Sequence, residues 1–180
     1  AFDGPSQFAR AKVTNAAGQV GLVLLGTGDQ ALVVAWNGGT LYIYWYSAGV
    51  YQGQLTTLAS TLQNGDVIEA LLDGGTVYAK INEIIVASVA NTTTLSSGRP
   101  GFETFLAGAK LDDWAGGILT QGKCDEVPDG EPCDDEDACT QLDTCKGGEC
   151  VGGYPVMCTP ADLCHQAGIC DPATGVCTNP

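Results

Sequence analysis

Tyr42, Tyr44 and Tyr46 alternate with Leu41, Ile43 and Trp45 in one unbroken run. In an extended strand, successive side chains point to opposite faces, so the tyrosines share one face and the bulky apolar residues share the other. One face has to meet a core. The other either presents a ladder of rings with polar tips, a surface that stacks on sugar rings and hydrogen-bonds their hydroxyls, or is itself buried under a second layer. Trp36, Tyr51, Tyr78, Lys80 and Asn82 are the residues placed to extend such a platform.

Residue types suited to catalysis are poorly arranged for it. Glycoside hydrolysis needs two carboxylates across the scissile bond, typically supplied by a Glu-x-Asp-x-x-Glu strand, and no such strand occurs. Glu69, Glu83 and Glu103 fall on three separate predicted elements. The only histidine, His165, sits between Cys164 and Cys170 and reads as an exposed loop residue rather than a general base. The expectation is a protein that is not an enzyme.

The nine cysteines all follow residue 123. Cys133, Cys139, Cys145 and Cys150 are followed by a second copy of the same ladder in Cys158, Cys164, Cys170 and Cys177, the first three at an offset of 25 residues and the last at 27. Repetition on this scale marks a tandem array of small units. Cys124 precedes both copies and stands where Cys177 would stand in an earlier one. Zinc sites favour close cysteine pairs with histidines, and the ladder has no such pair and only His165. Disulfides, and with them an oxidising compartment, are therefore expected. Eight cysteines allow about a hundred pairings, and spacing selects none of them. An odd count leaves one sulfur without a partner in the chain, with Cys124 and Cys177 as the natural candidates.

Charge divides the chain at the same place. Residues 1–123 carry 9 acids against 6 bases, and the remainder carries 12 acids against Lys146 alone. Nucleic acid and anionic membrane surfaces are excluded as partners, since both require clustered Lys and Arg. No apolar stretch approaches the length of a membrane span. The acidic run Asp134–Asp137 lacks the spacing of the familiar calcium loops and reads as a solvated loop. Asn91-Thr92-Thr93 matches a glycosylation sequon but reads more simply as part of a polar loop. The chain opens at Ala1 and has its only methionine at Met157, which points to a processed product or a piece of something longer.

Positioning the tyrosines requires strands, and the sequence supplies ten candidates. Phe8–Thr14, Val20–Leu25, Ala31–Trp36, Leu41–Tyr46, Tyr51–Leu58, Val67–Leu72, Val77–Ile81, Ile84–Val89, Phe102–Leu106 and Ala109–Trp114 are short apolar or alternating runs. Asn37-Gly38-Gly39, Asn64-Gly65-Asp66 and Asp73-Gly74-Gly75 supply tight turns between them. Only Leu55–Leu62 invites a short helix or turn instead. The predicted fold is all-β: an antiparallel jelly-roll sandwich over 1–117, a linker over 118–123, and a cysteine-rich repeat over 124–180 with little regular structure.

These motifs also carry a resemblance. Gly18-Gln-Val-Gly-Leu-Val-Leu, Asn64-Gly-Asp-Val-Ile, Val77-Tyr-Ala-Lys-Ile-Asn, Ile85-Val-Ala-Ser-Val, Ser97-Gly-Arg-Pro-Gly-Phe and Ala109-Lys-Leu-Asp-Asp-Trp resemble concanavalin-like, laminin-G-like jelly-roll modules of large secreted bacterial proteins. Pro132-Cys-Asp-Asp-x-Asp-Ala-Cys and Cys170-Asp-Pro-Ala-Thr-Gly-Val-Cys are similar to cysteine-rich repeats of myxobacterial surface proteins. The resemblance implies a structural calcium near Asp112 and Asp113, an acidic pair on the last strand whose alternation would turn one carboxylate inward. It also implies a further 40 to 50 residues upstream, without which the sandwich keeps an open edge or groove. The function it implies is extracellular adhesion or carbohydrate recognition on a disulfide-stiffened stalk, with glycans or surface proteins as partners. The alternative is a structural subunit of a fibre or surface layer, self-assembled through strand exchange and an intermolecular disulfide.

Overall fold

A computed structural model describes residues 6–105, 108–125, 127–160 and 167–178. The chain divides into two compact units, Ala1–Ile118 and Leu119–Pro180. No helix occurs among the described residues.

The first unit contains ten strands: β1 (Gln7–Asn15), β2 (Gln19–Gly26), β3 (Ala31–Asn37), β4 (Thr40–Ser47), β5 (Val50–Ala59), β6 (Val67–Asp73), β7 (Thr76–Ile81), β8 (Ile84–Ala90), β9 (Arg99–Phe105) and β10 (Lys110–Ile118). The stretch open to a helix reading, Leu55–Leu62, is strand through Ala59. Two five-stranded antiparallel sheets form, in the orders β10-β1-β6-β7-β8 and β5-β4-β3-β2-β9. Between them, Ala9, Ala11, Val13, Ile68, Ala70 and Val77 from one sheet meet Leu22, Leu24, Leu32, Val34, Leu41 and Ile43 from the other, all fully buried. The β3–β4 hairpin turns on Gly38 and Gly39, both at positive φ, as a two-residue loop of the right twist requires. Gly98 is needed for another reason: a Cβ there would lie 2.2 Å from the Leu25 carbonyl carbon. Beside it, the buried Gln7 amide donates to Gly98 O at 2.9 Å and accepts from Leu25 N at 3.1 Å, clamping the two sheets together. At one margin, β9 and β10 leave Phe102 and Trp114 exposed with ring centroids 6.1 Å apart.

The second unit has six short strands, β11 (Thr120–Gln121), β12 (Cys133–Asp134), β13 (Thr140–Gln141), β14 (Thr144–Lys146), β15 (Glu149–Val151) and β16 (Tyr154–Pro155), paired two by two. β11 lies inside the stretch read as a linker and pairs with β12. Four disulfides do most of the holding: Cys124–Cys145, Cys133–Cys150, Cys139–Cys170 and Cys158–Cys177.

The bridges follow a rule. Each copy joins its first cysteine to its last, and the second cysteine of one copy, Cys139, reaches the third of the next, Cys170. Cys145, a third cysteine, accordingly takes its partner from upstream. Cys124 fills that second-cysteine role rather than the last-cysteine role its spacing suggested. Neither Cys124 nor Cys177 is the odd cysteine, because both are bridged. The eight described cysteines pair among themselves, and Cys164 lies outside the described residues along with His165.

Candidate functional site

The β4 alternation resolves as one buried face and one half-open face. Leu41 and Ile43 are fully buried in the inter-sheet core, and Trp45 packs against it. Tyr42, Tyr44 and Tyr46 lie on the outer face of their sheet, each half-buried. The β3 residues opposite them are Ala35, Val33 and Ala31, and the next residues across, on β2, are Gly21 opposite Ala35 and Val23 opposite Val33. Small side chains thus form a low floor beside the tyrosines. On β5, register shifts break the pairing on either side of Tyr44 and Trp45. Such bulges re-aim side chains. Here Tyr51 stands 60% exposed, its ring 6.2 Å from that of Tyr44 at 44°. Gln19, Asn37, Tyr42, Tyr44, Tyr51 and Gln54 line an open depression of about 280 Å³.

Glu103 reaches this face from β9, where it pairs with Gly21. A Cβ on Gly21 would lie 2.8 Å from Glu103 Cγ, so the glycine lets the acidic side chain lie across the sheet. Glu103 Oε1 accepts the Tyr44 hydroxyl at 2.7 Å and the Gln19 amide at 3.3 Å, and the same amide lies 3.2 Å from Tyr44 Oη as a donor. Burial, followed by the hydrogen bond and charge of Glu103, pushes the Tyr44 phenol well above its ordinary value. Tyr46 moves the same way, by burial first and then by the charge of Glu103. Both hydroxyls stay protonated, and the proton of Tyr44 is held by Glu103. The arrangement offers ring faces, amides, hydroxyls and one carboxylate on a firm sheet, which suits binding of a flat, hydroxyl-rich ligand.

Four residues expected on this platform are elsewhere. Trp36 is 2% exposed in the core, its indole N–H donating to Ser60 Oγ at 3.1 Å. The β3–β4 register pairs it with Leu41, and both point inward. Tyr78 and Lys80 belong to β7 of the other sheet, where Lys80 Nζ lies 2.7 Å from Glu69. Asn82 occupies the β7–β8 turn at φ 50°, with its side chain bonded to Asp66 and to Val67 N. Tyr51 is the one proposed extension that joins. Gln19, Asn37, Gln54 and Glu103 complete the face without having been singled out for it. The β2–β9 pairing that delivers Glu103 spans more than eighty residues and has no local signal.

The acidic groups fall out as follows. Asp112 pairs in register with Lys12, Asp113 sits at φ 49° in a bulge, and Asp113 N donates to Asp112 Oδ1 at 2.9 Å. The bulge cancels the expected alternation, so neither carboxylate turns inward and both are exposed. Among the described residues they join no third ligating group. The one acidic set that converges is Asp134, Asp135 and Asp143, with carboxylate oxygens within 4.8 Å of one another. Rather than a wholly solvated loop, this is a turn tied to Asp143, which is 3% exposed and accepts from Gly153 N at 2.9 Å and Asp135 N at 3.1 Å. Glu69, on β6, is held between Lys80 and Arg10, away from the tyrosine face.

No family model and no curated protein matches the sequence. Among solved structures, the carbohydrate-binding module CBM66 from Bacillus subtilis is similar with a TM-score of 0.55 at 10% identity, over 63% of this chain and 76% of that one. A galectin of Caenorhabditis elegans (0.47, 16% identity, 63% and 84%) and sheep galectin-11 (0.49, 11% identity, 62% and 89%) are similar more loosely, at scores that bear on neither ligand nor site. At such identities the likeness to the bacterial module concerns the fold alone: the first unit is an all-β, two-sheet sandwich.

Proposed function

We propose that the first unit is a non-catalytic carbohydrate-recognition module, and that the second is a disulfide-stiffened stalk on which a secreted or surface protein carries it. The observation behind this reading is the depression lined by Gln19, Asn37, Tyr42, Tyr44, Tyr51 and Gln54 on the outer face of the β5-β4-β3-β2-β9 sheet. Exposed tyrosines beside amides provide apolar stacking and hydroxyl recognition together. A protein of the same fold bears the name of a carbohydrate-binding module, which agrees with the reading. Four disulfides fit an oxidising, extracellular setting. Glycan-array screening followed by calorimetry tests it. Tyr42→Ala and Tyr51→Ala should each weaken binding by about tenfold, equivalent to roughly 1.4 kcal/mol, without changing the thermal midpoint. Absence of binding by the native chain to any glycan would overturn the reading. A monomer by non-reducing sedimentation at high concentration separates it from a fibre subunit.

A further inference from the structure

Among the described residues, the strands of the tyrosine sheet carry one acid, Glu103, and one base, Arg99, at the far end of β9. Among the described residues Glu103 makes no ion pair, whereas Arg10 and Lys80 both pair with Glu69. Of the bases in this unit, Arg10, Lys12 and Lys80 lie on strands of the other sheet and Lys110 begins β10, also there. Arg99 is on β9 but four positions from Glu103, roughly 13 Å along the strand, and is already engaged. Two hydrogen bonds reach Oε1 of Glu103, whereas a carboxylate has about four acceptor sites. A half-buried carboxylate without a counter-ion, set at the hydroxyl of Tyr44 and beside the ring pair Tyr44–Tyr51, favours positive charge. Anionic sugars are disfavoured by the same field.

Resting on the carbohydrate reading above, we propose that this face takes a sugar bearing a free amine, with Glu103 holding the ammonium and Tyr42, Tyr44 and Tyr51 packing around the ring. Gly21 is the residue that permits it, since its missing side chain is the space Glu103 occupies.

The test is calorimetry on the full chain at physiological salt with three short oligosaccharides of one backbone: glucosamine, N-acetylglucosamine and glucose oligomers. The glucosamine oligomer should bind at least tenfold tighter than the other two, and should lose that margin when pH rises above the pKa of its amine. Glu103→Gln, which leaves the acidic tail untouched, should erase the margin while keeping the weaker neutral-sugar binding. Gly21→Ala, which pushes Glu103 aside, should do the same. Should neutral oligomers bind as well as the amine, the inference fails and the carbohydrate reading stands. If none of the three binds, the inference fails, and the glycan array alone decides the carbohydrate reading. A margin that survives Glu103→Gln places the attraction in the tail and overturns the assignment. So does tighter binding of a lysine peptide than of the amino sugar, which makes the ligand a basic protein.

Discussion

The two units of this chain solve one problem in opposite ways. The first has no cysteine, yet buries aliphatic side chains from both sheets in a continuous core. The second has little to bury: its one described apolar cluster is Cys124, Cys133 and Cys145, flanked by Val127 and Cys150, so the bridges are the core. A sandwich of this length removes enough apolar surface from water to offset the entropy of ordering its strands. A tail of paired two- and three-residue strands does not, and cross-linking the unfolded chain is what makes it foldable. On the proposed reading, the binding face belongs to the unit whose geometry is set by packing, and the stalk to the unit set by covalent bonds.

Reduction should separate them most sharply. Each native bridge in such a tail is worth about 2–5 kcal/mol, so losing all four should unfold the second unit while the first keeps its melting transition. Limited proteolysis with and without reductant reads this directly, with new cuts confined to the region after Ile118. Loss of the sandwich as well would break the contrast. The converse experiment is Leu22→Ala, at a fully buried core position, which should cost the first unit about 2–5 kcal/mol in urea unfolding while the disulfide map by mass spectrometry stays unchanged.

A smaller effect distinguishes the units by pH. Burial, opposed by hydrogen bonds from Gly153 and Asp135 and helped by the neighbouring Asp135 charge, raises Asp143 to about 6. Between its ordinary value and about 6, the folded tail holds a proton that the unfolded tail releases. Stability from this group is therefore complete at low pH and is lost as pH rises through about 6. The expected gain on going from about pH 7.5 to about pH 4.5 is on the order of 1–3 kcal/mol, confined to the tail transition and absent in Asp143→Asn. A gain that persists in that variant would assign it to relief of general repulsion among the tail acids.

The same contrast decides what could be read from residues alone. Core-forming strands announce themselves by period and turns, and all ten of the first unit lie where alternation and glycines put them. Trp36 was legible too: the two-residue Gly38–Gly39 turn sets it opposite Leu41, on the buried side. Tyr78 was not, because nothing local says to which sheet a hairpin goes. Nor was Glu103, whose place depends on β9 pairing with β2. At Asp112, a bulge defeated simple alternation. In the tail the repeat was visible at once, but the bridges cross between copies, and equal spacing is silent on which sulfur meets which.

That crossing yields the smallest expected effect and the finest test of the stalk. If second cysteines always reach the third cysteine of the following copy, as Cys139 reaches Cys170, then Cys164 is the second cysteine of the last copy present and has no third cysteine ahead of it. Alkylation of the unreduced chain should label one thiol, at Cys164, and Cys164→Ser should leave both melting transitions and all four bridges unchanged. Cys139→Ser, at the equivalent position one copy earlier, should instead release Cys170 and weaken the tail by about 2–5 kcal/mol. Two chemically identical substitutions at matched positions would then differ by a whole bridge, which is the behaviour of links in a chain rather than of independent knots. A label found on any other cysteine, or equal losses from the two variants, would dissolve the rule and return the copies to separate units.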